Sequence, residues 1–398
     1  MKMRFAKSRN KLPNFVSPYA ATGALATLSI LLTLVCAPAV KAQTKAPAPG
    51  GPVSLEQAVN IALKNNPTIQ AASAYAQAAR HAIDVAKAGY LPNVNFSEGF
   101  TRGNNPVYVF GTLLTQRQFT AANFDLGFLN VPPPLDNFRT QFSASMPLYD
   151  FGRTSKRVKS ARLQAQGTGD IAERTRQAVV FDVVSAYLNE LLAHERVRVA
   201  KASVNMTQAD LDRARARVQQ GLAVESDVLS AQAQLAQARE NLIQAQNSVA
   251  IGQASLNVAM GIPEETQTKT EGKLSEIKVP VGSLITLQGT ALKERPDYQA
   301  VQLQAENAQN SVGLAKKEFL PRIDMMGSWE VDNQTFATRG GNNWVAGATL
   351  TFNIFNGGAR RAQIAESKAY HLRADAMRSH MESVVRLQVR EAYLNLNA

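Results

Sequence analysis

The sequence predicts a mainly helical protein carrying membrane-type β-strands, built as a duplicated helix–strand–strand–long-helix unit. Three observations predict it: a passage that aligns with a later copy of itself, long proline-free stretches with heptad spacing, and four runs of alternating apolar and polar residues.

Residues 1–42 stand apart from the fold. Lys2, Arg4, Lys7, Arg9 and Lys11 precede the apolar run ALATLSILLTLVCAPAV, and VKA closes it at Ala42. A basic start, an apolar middle and a small-residue end form a secretory signal peptide. The apolar run is short for a bilayer-spanning anchor. Cys36, the single cysteine, lies inside it, so the mature chain has no disulfide and no thiolate chemistry. Much of the formal charge of +12 also belongs to this leader, and the remaining basic residues are interspersed with acids. Nucleic-acid binding has no support in such a pattern.

A Pro/Gly/Ala-rich linker, 43–52, leads into the first copy, 53–281, and the second copy follows at 282–398. ALKNNPTIQ from Ala62 and ALKERPDYQ from Ala291 open passages that align without a gap to the Leu-Pro pairs at Pro92 and Pro321. Further along, Leu148-Tyr149 matches Ile354-Phe355, and AYLN from Ala186 matches AYLN from Ala392. This second spacing is shorter because the first copy carries an insert, Thr101 to Asp136. Two matches in the same order make a duplication.

The elements follow in order. Leu55 to Tyr90 is Ala-rich and reads as helix broken only at Asn66-Pro67. Strands are expected at about 93–101 and 137–149, then at about 322–331 and 343–355. Phe138, Phe142, Met146 and Leu148 share one side of the second run, Met325 and Trp329 of the third, and Trp344, Leu350 and Phe352 of the fourth. The first run is weaker, because Glu98 falls on its apolar side. Between Gly152 and Gln220 there is no proline. At 1.5 Å per residue a continuous helix there runs about 100 Å, which needs a partner helix. Val228, Leu235, Leu242, Val249 and Leu256 recur every seven residues, trailed by Ala231, Ala238, Ala245, Gly252 and Ala259. Val183, Val197, Val204, Leu211 and Val218 do likewise in the preceding helix, with Glu190 the one break. Strict heptads predict an antiparallel coiled coil. Its polar face suits either plain solvent or a wet channel. A hairpin tip is expected at about 219–227, with Gly221 ending one helix in a left-handed turn and Ser226 or Asp227 capping the next. Leu222 and Val224 would stand exposed there, which suits a docking loop.

Runs of this length suit tilted membrane strands. Four strands cannot close a barrel, and an open edge is not tolerated in lipid, so copies must associate. A soluble sheet packed on the helices is the rival, and with it goes a second function class: a periplasmic coiled-coil scaffold or adaptor. Catalysis finds no footing. His81, His194, His371 and His380 lack metal-ligand spacing, and GTGD at Gly167 lacks the lysine and serine of a phosphate loop. No catalytic residue, metal or cofactor is expected.

The duplicated plan resembles the outer-membrane efflux proteins, the TolC-like exit ducts. So do SLEQAVNIALKNNP, the LPNV and LPRI stretches before strands, PLYDFGR and FNIFNGGARR after them, and GLAVESDVLSAQ at the tip. The resemblance implies a homotrimer with a twelve-stranded β-barrel in the outer membrane and an α-helical barrel through the periplasm. Such a duct docks a periplasmic adaptor and an inner-membrane pump, in a tripartite efflux pump or a type I secretion system. It puts the adaptor-facing tip on Gly221, Leu222, Ala223, Val224 and Asp227. The insert looks like the long external loop of one branch of the family. Family members also carry a second tip hairpin; here Ala398 falls opposite Leu192, and the sequence reads as C-terminally truncated.

Overall fold

The computed structural model describes residues 52–272, 274, 282–336, 338 and 340–397; the expected leader lies outside them. Helices α1 (Leu55–Asn65) and α2 (Pro67–Lys87) come first. They meet at Asn66, whose side chain accepts the Thr68 N–H at 2.8 Å, with Pro67 at the first helical position, where its missing N–H costs nothing. Strand β1 (Asn93–Gly103) follows, then an insert containing α3 (Pro106–Thr115) and α4 (Leu126–Asn130), then β2 (Leu135–Tyr149). The 67-residue α5 (Arg153–Gln219) turns back at the tip into α6 (Glu225–Met260). The second copy supplies α7 (Leu284–Glu294), α8 (Pro296–Lys317), β3 (Arg322–Asn333), β4 (Gly341–Thr351) and α9 (Ala359–Asn397).

The four strands form one antiparallel sheet in the order β1-β2-β3-β4. The helices pack separately. Along the coil, Val183, Leu211, Val228, Leu235 and Leu256 are buried, as the heptads require. Burying such side chains contributes about 1.5–3 kcal/mol each. Glu190 is buried in the same seam, 1 % exposed. It touches His194 Nε2 at 2.9 Å and accepts the Thr270 hydroxyl, while Gly252 opposite leaves it room. The segment after α6 is sewn back onto the coil: Asn257 donates to Glu264 O and Thr266 O at 2.9 and 2.6 Å, and Gln253 to Thr268 O at 2.7 Å. Gly261 (φ +73) lets the end of α6 lie against the junction of α1 and α2, where an added Cβ would sit 2.7 Å from the Asn66 backbone.

Three expectations need correction. The first concerns β4, which ends at Thr351, the partner of Arg322, so Phe352 lies beyond it. Pro321, next along the neighbouring strand, has no N–H with which to extend the ladder. At the end of β2 the register shifts between Pro147 and Tyr149. Leu148 is the extra residue, and Tyr149 takes the place opposite Ile323. At the tip, α6 begins two residues earlier than a Ser226 cap requires and three earlier than an Asp227 cap requires. Val224 is the N-cap, and Asp227 instead reaches back to its N–H at 3.4 Å.

Candidate functional site: sheet faces, strand-to-helix turns and tip

Directly opposed residues in an antiparallel pair share a face. Phe96, Phe142, Trp329 and Trp344 are opposed in one row across all four strands, and Phe100 meets Phe138 in another. Ring centroids lie 5.1 Å apart for Phe96–Phe142 and 6.0 Å for Phe142–Trp329. Met325, Met146 and Leu350 belong to the same apolar face. Glu98 also lies there and accepts a hydrogen bond from Thr140 Oγ1 at 2.6 Å. The other face carries Asn95, Gln141, Ser143, Ser328, Glu330 and Thr349. Two opposite solvents would select such a sheet.

The apolar face is not covered by the chain's own helices. Phe142 is 45 % exposed, Trp329 43 % and Trp344 78 %. Phe352 and Leu148, outside the regular ladder, are exposed as well. β1 and β4 form the two edges of the sheet, each paired on one side only. Among the described residues no helix is long and apolar enough to cross a membrane.

Both strand-to-helix turns follow one backbone path. Phe151 and Gly152 have φ of +54 and +79, and Gly357 and Gly358 have +67 and +83. Two successive left-handed residues redirect the chain, which is why glycine recurs there. In the first turn, Asp150 accepts the Gly152 and Thr154 N–H groups at 2.8 and 2.6 Å. Burial works to raise the Asp150 pKa, but the hydrogen bonds from Thr154, Gly152 and Arg153 outweigh it and hold the carboxyl below its ordinary range. Lys317 Nζ donates to Phe151 O at 2.6 Å, and Arg153 Nε to Lys317 O at 3.1 Å, clamping the turn to the end of α8.

The tip residues stand together. Gly221 has φ +71; its N–H reaches Val218 O at 3.0 Å and that of Leu222 reaches Arg217 O at 2.9 Å. That pair of bonds ends α5 and frees the next side chains. Leu222 and Val224 are 66 % and 62 % exposed, Ala223 is half-buried, and Asp227 is exposed on the first turn of α6. Among the described residues no three metal-ligating side chains gather.

Sequence reasoning missed the packing of the insert. Asp332 is fully buried, held by Asn137 Nδ2 at 2.6 Å and Arg139 Nε at 2.9 Å, and Gln116 Nε2 reaches Asn137 Oδ1 at 2.9 Å. The available signal was an acid directly before Asn333 in a strand of known facing; nothing marked Gln116.

Residues 58–262 and 287–398 match the family described as outer membrane efflux protein. OprJ, an outer membrane protein of Pseudomonas aeruginosa, is 25 % identical over 85 % of this chain and 67 % of its own length. SilC, a probable outer membrane lipoprotein of Salmonella typhimurium, is 22 % identical over 77 % of this chain, which spans 62 % of SilC. The CmeC outer membrane channel of Campylobacter jejuni superposes with a TM-score of 0.69 at 18 % identity, covering 82 % of this chain and 67 % of CmeC. With this match running through both copies, the chain belongs to the outer membrane efflux protein family and is a protein of the outer membrane.

Proposed function

We propose that this chain is the passive exit duct of a tripartite efflux or type I secretion assembly. Three copies pair β4 of one with β1 of the next, closing a twelve-stranded barrel around the polar face. The helices continue the wall into the periplasm. Leu222, Val224 and their neighbours at the tip dock a periplasmic adaptor, through which an inner-membrane pump supplies the energy. One observation carries this reading: a sheet with an exposed aromatic face, a polar reverse face and two open edges. In lipid, only closure satisfies such edges. The description of CmeC as a channel supports it.

Cells exporting the full chain provide the test. The protein is expected to stay with outer membranes through alkaline carbonate, to cross-link as a trimer, and to conduct ions in planar bilayers. Release by carbonate, or silence under every condition, would refute the duct. Leu222→Asp should keep the membrane fraction and the trimer but lower dye efflux about ten-fold in cells that depend on this chain. Unchanged efflux removes the tip from docking.

A further inference from the structure

The insert between β1 and β2 has no task in the duct as described, yet it is not a free loop. Asn105 caps α3 through the Val107 and Tyr108 N–H groups, at 3.0 and 3.2 Å. Val109, Thr112 and Leu113 on one side of α3 are buried. The chain then turns at Arg117, a non-glycine residue with φ +58.

What receives the end of α3 is the polar face of the sheet. Thr115 O accepts Asn343 Nδ2 at 3.2 Å, Gln116 Nε2 donates to Asn137 Oδ1 at 2.9 Å, and Arg117 donates to Asn342 O at 2.6 Å. Behind Asn137 lie Asp332 and Arg139, so the contact ends in an ion pair whose carboxylate is buried and whose guanidinium stands half exposed. Gly341, opposite Asp332, shows how close the approach is: a Cβ there would fall 1.9 Å from Thr115 O. Gly347, on the same strand and face, has nothing within 4 Å of its would-be Cβ. The insert therefore covers the polar face at the end away from the helices and leaves the helix-side end bare. Among the described residues, Gln116 Oε1 and Asp332 Oδ2 are buried without a hydrogen-bond partner.

We propose that the insert is a size filter across the outer mouth of the duct, latched by Gln116, Asn137, Asp332 and Arg139. The inference rests on the duct reading, because only in a closed barrel does the polar face line a lumen. Three inserts would then project into one mouth, and the widest solute that passes would be set there by α3.

The test labels Thr349→Cys, an exposed polar-face position near the helix-side end of β4, in intact cells with Cys36 replaced by serine. Two membrane-impermeant reagents are used, a small maleimide and a much wider polyethylene-glycol maleimide. Gly341→Ala should raise the labelling rate by the wide reagent about ten-fold, and Gly347→Ala should leave it unchanged. Replacing residues 104–134 by an Asn-Gly turn should match Gly341→Ala, and covers the case in which Gly341→Ala fails to fold. Equal wide-reagent rates with and without the insert, while the small reagent labels normally, overturn the filter alone. Failure of the small reagent even without the insert overturns the duct reading and the filter with it.

Discussion

The turn at Asp150–Arg153 and the turn at Asn356–Arg360 follow one backbone path but are held by different side chains. In the first, a carboxylate takes two N–H groups, and a lysine and an arginine clamp the loop to the end of α8. In the second, Asn356 Oδ1 lies 3.5 Å from the Arg360 N–H, and Arg360 reaches Asn353 O at 2.9 Å and sits 5.7 Å from the centre of the Phe319 ring. A Cβ on Gly152 would meet Lys317 Nζ at 3.1 Å, whereas Gly357 and Gly358 face open space. Duplication kept the φ angles that steer the chain out of the sheet. The packing around them diverged: Lys317 reaches into the backbone of the first turn, whereas the second turn meets the same stretch of chain through Arg360 over the Phe319 ring.

The sharpest way to break that contrast is to remove the capping side chains. Asp150→Ala should cost about 2 kcal/mol, because two charge-assisted bonds are lost. Asn356→Ala should cost about 0.5 kcal/mol or less, since its bond is long. Urea titration of the detergent-solubilised protein reads both. Equal losses would erase the distinction between the turns. pH adds an independent reading. Asp150 has a lowered folded pKa, so its contribution is full above the ordinary carboxylate range and fades as pH falls through the folded value. Asp150→Asn should flatten that acid limb, and Asn356→Ala should leave it intact.

A smaller effect separates strain from crowding. An L-residue in the left-handed region costs about 1–2 kcal/mol, so Gly358→Ala should lose about 1 kcal/mol. Gly152→Ala should lose about 1 kcal/mol more, because its Cβ displaces Lys317 as well. Melting temperatures of the pair would show it, and identical shifts would mean that Lys317 yields freely. The smallest expected effect is at Phe151. Glycine there relieves a strain of about 1 kcal/mol but forfeits the ring contact with Tyr149, at 4.6 Å and worth a similar amount. Phe151→Gly should therefore move stability by less than about 0.5 kcal/mol in either direction.

These turns also show what a sequence discloses. Periodic features were legible: Leu235 and Leu256 repeat by seven, Phe142 and Trp329 fall in alternating runs, and both seams and faces stand where the periods put them. Gly221 could be read because glycine alone adopts its φ without strain. Features that depend on one contact far along the chain were hidden. Leu148 left the apolar row through a bulge beside a proline, and Phe352 lost its place because Pro321 ended the ladder. Lys317 looks like any surface lysine until the turn at Phe151 lies beneath it. Gln116 and Asp332 are joined by a fold-back that no period records.

The buried Glu190 carries a consequence for assembly of the coil. Thr270, which bonds it, belongs to the segment that Asn257 and Gln253 fasten to α6. Sliding α5 by seven residues would keep every alkyl knob in a hole, yet strand a carboxylate among methyl groups with no hydroxyl to meet it. One acid thus indexes the two rods, as a keyway indexes a shaft.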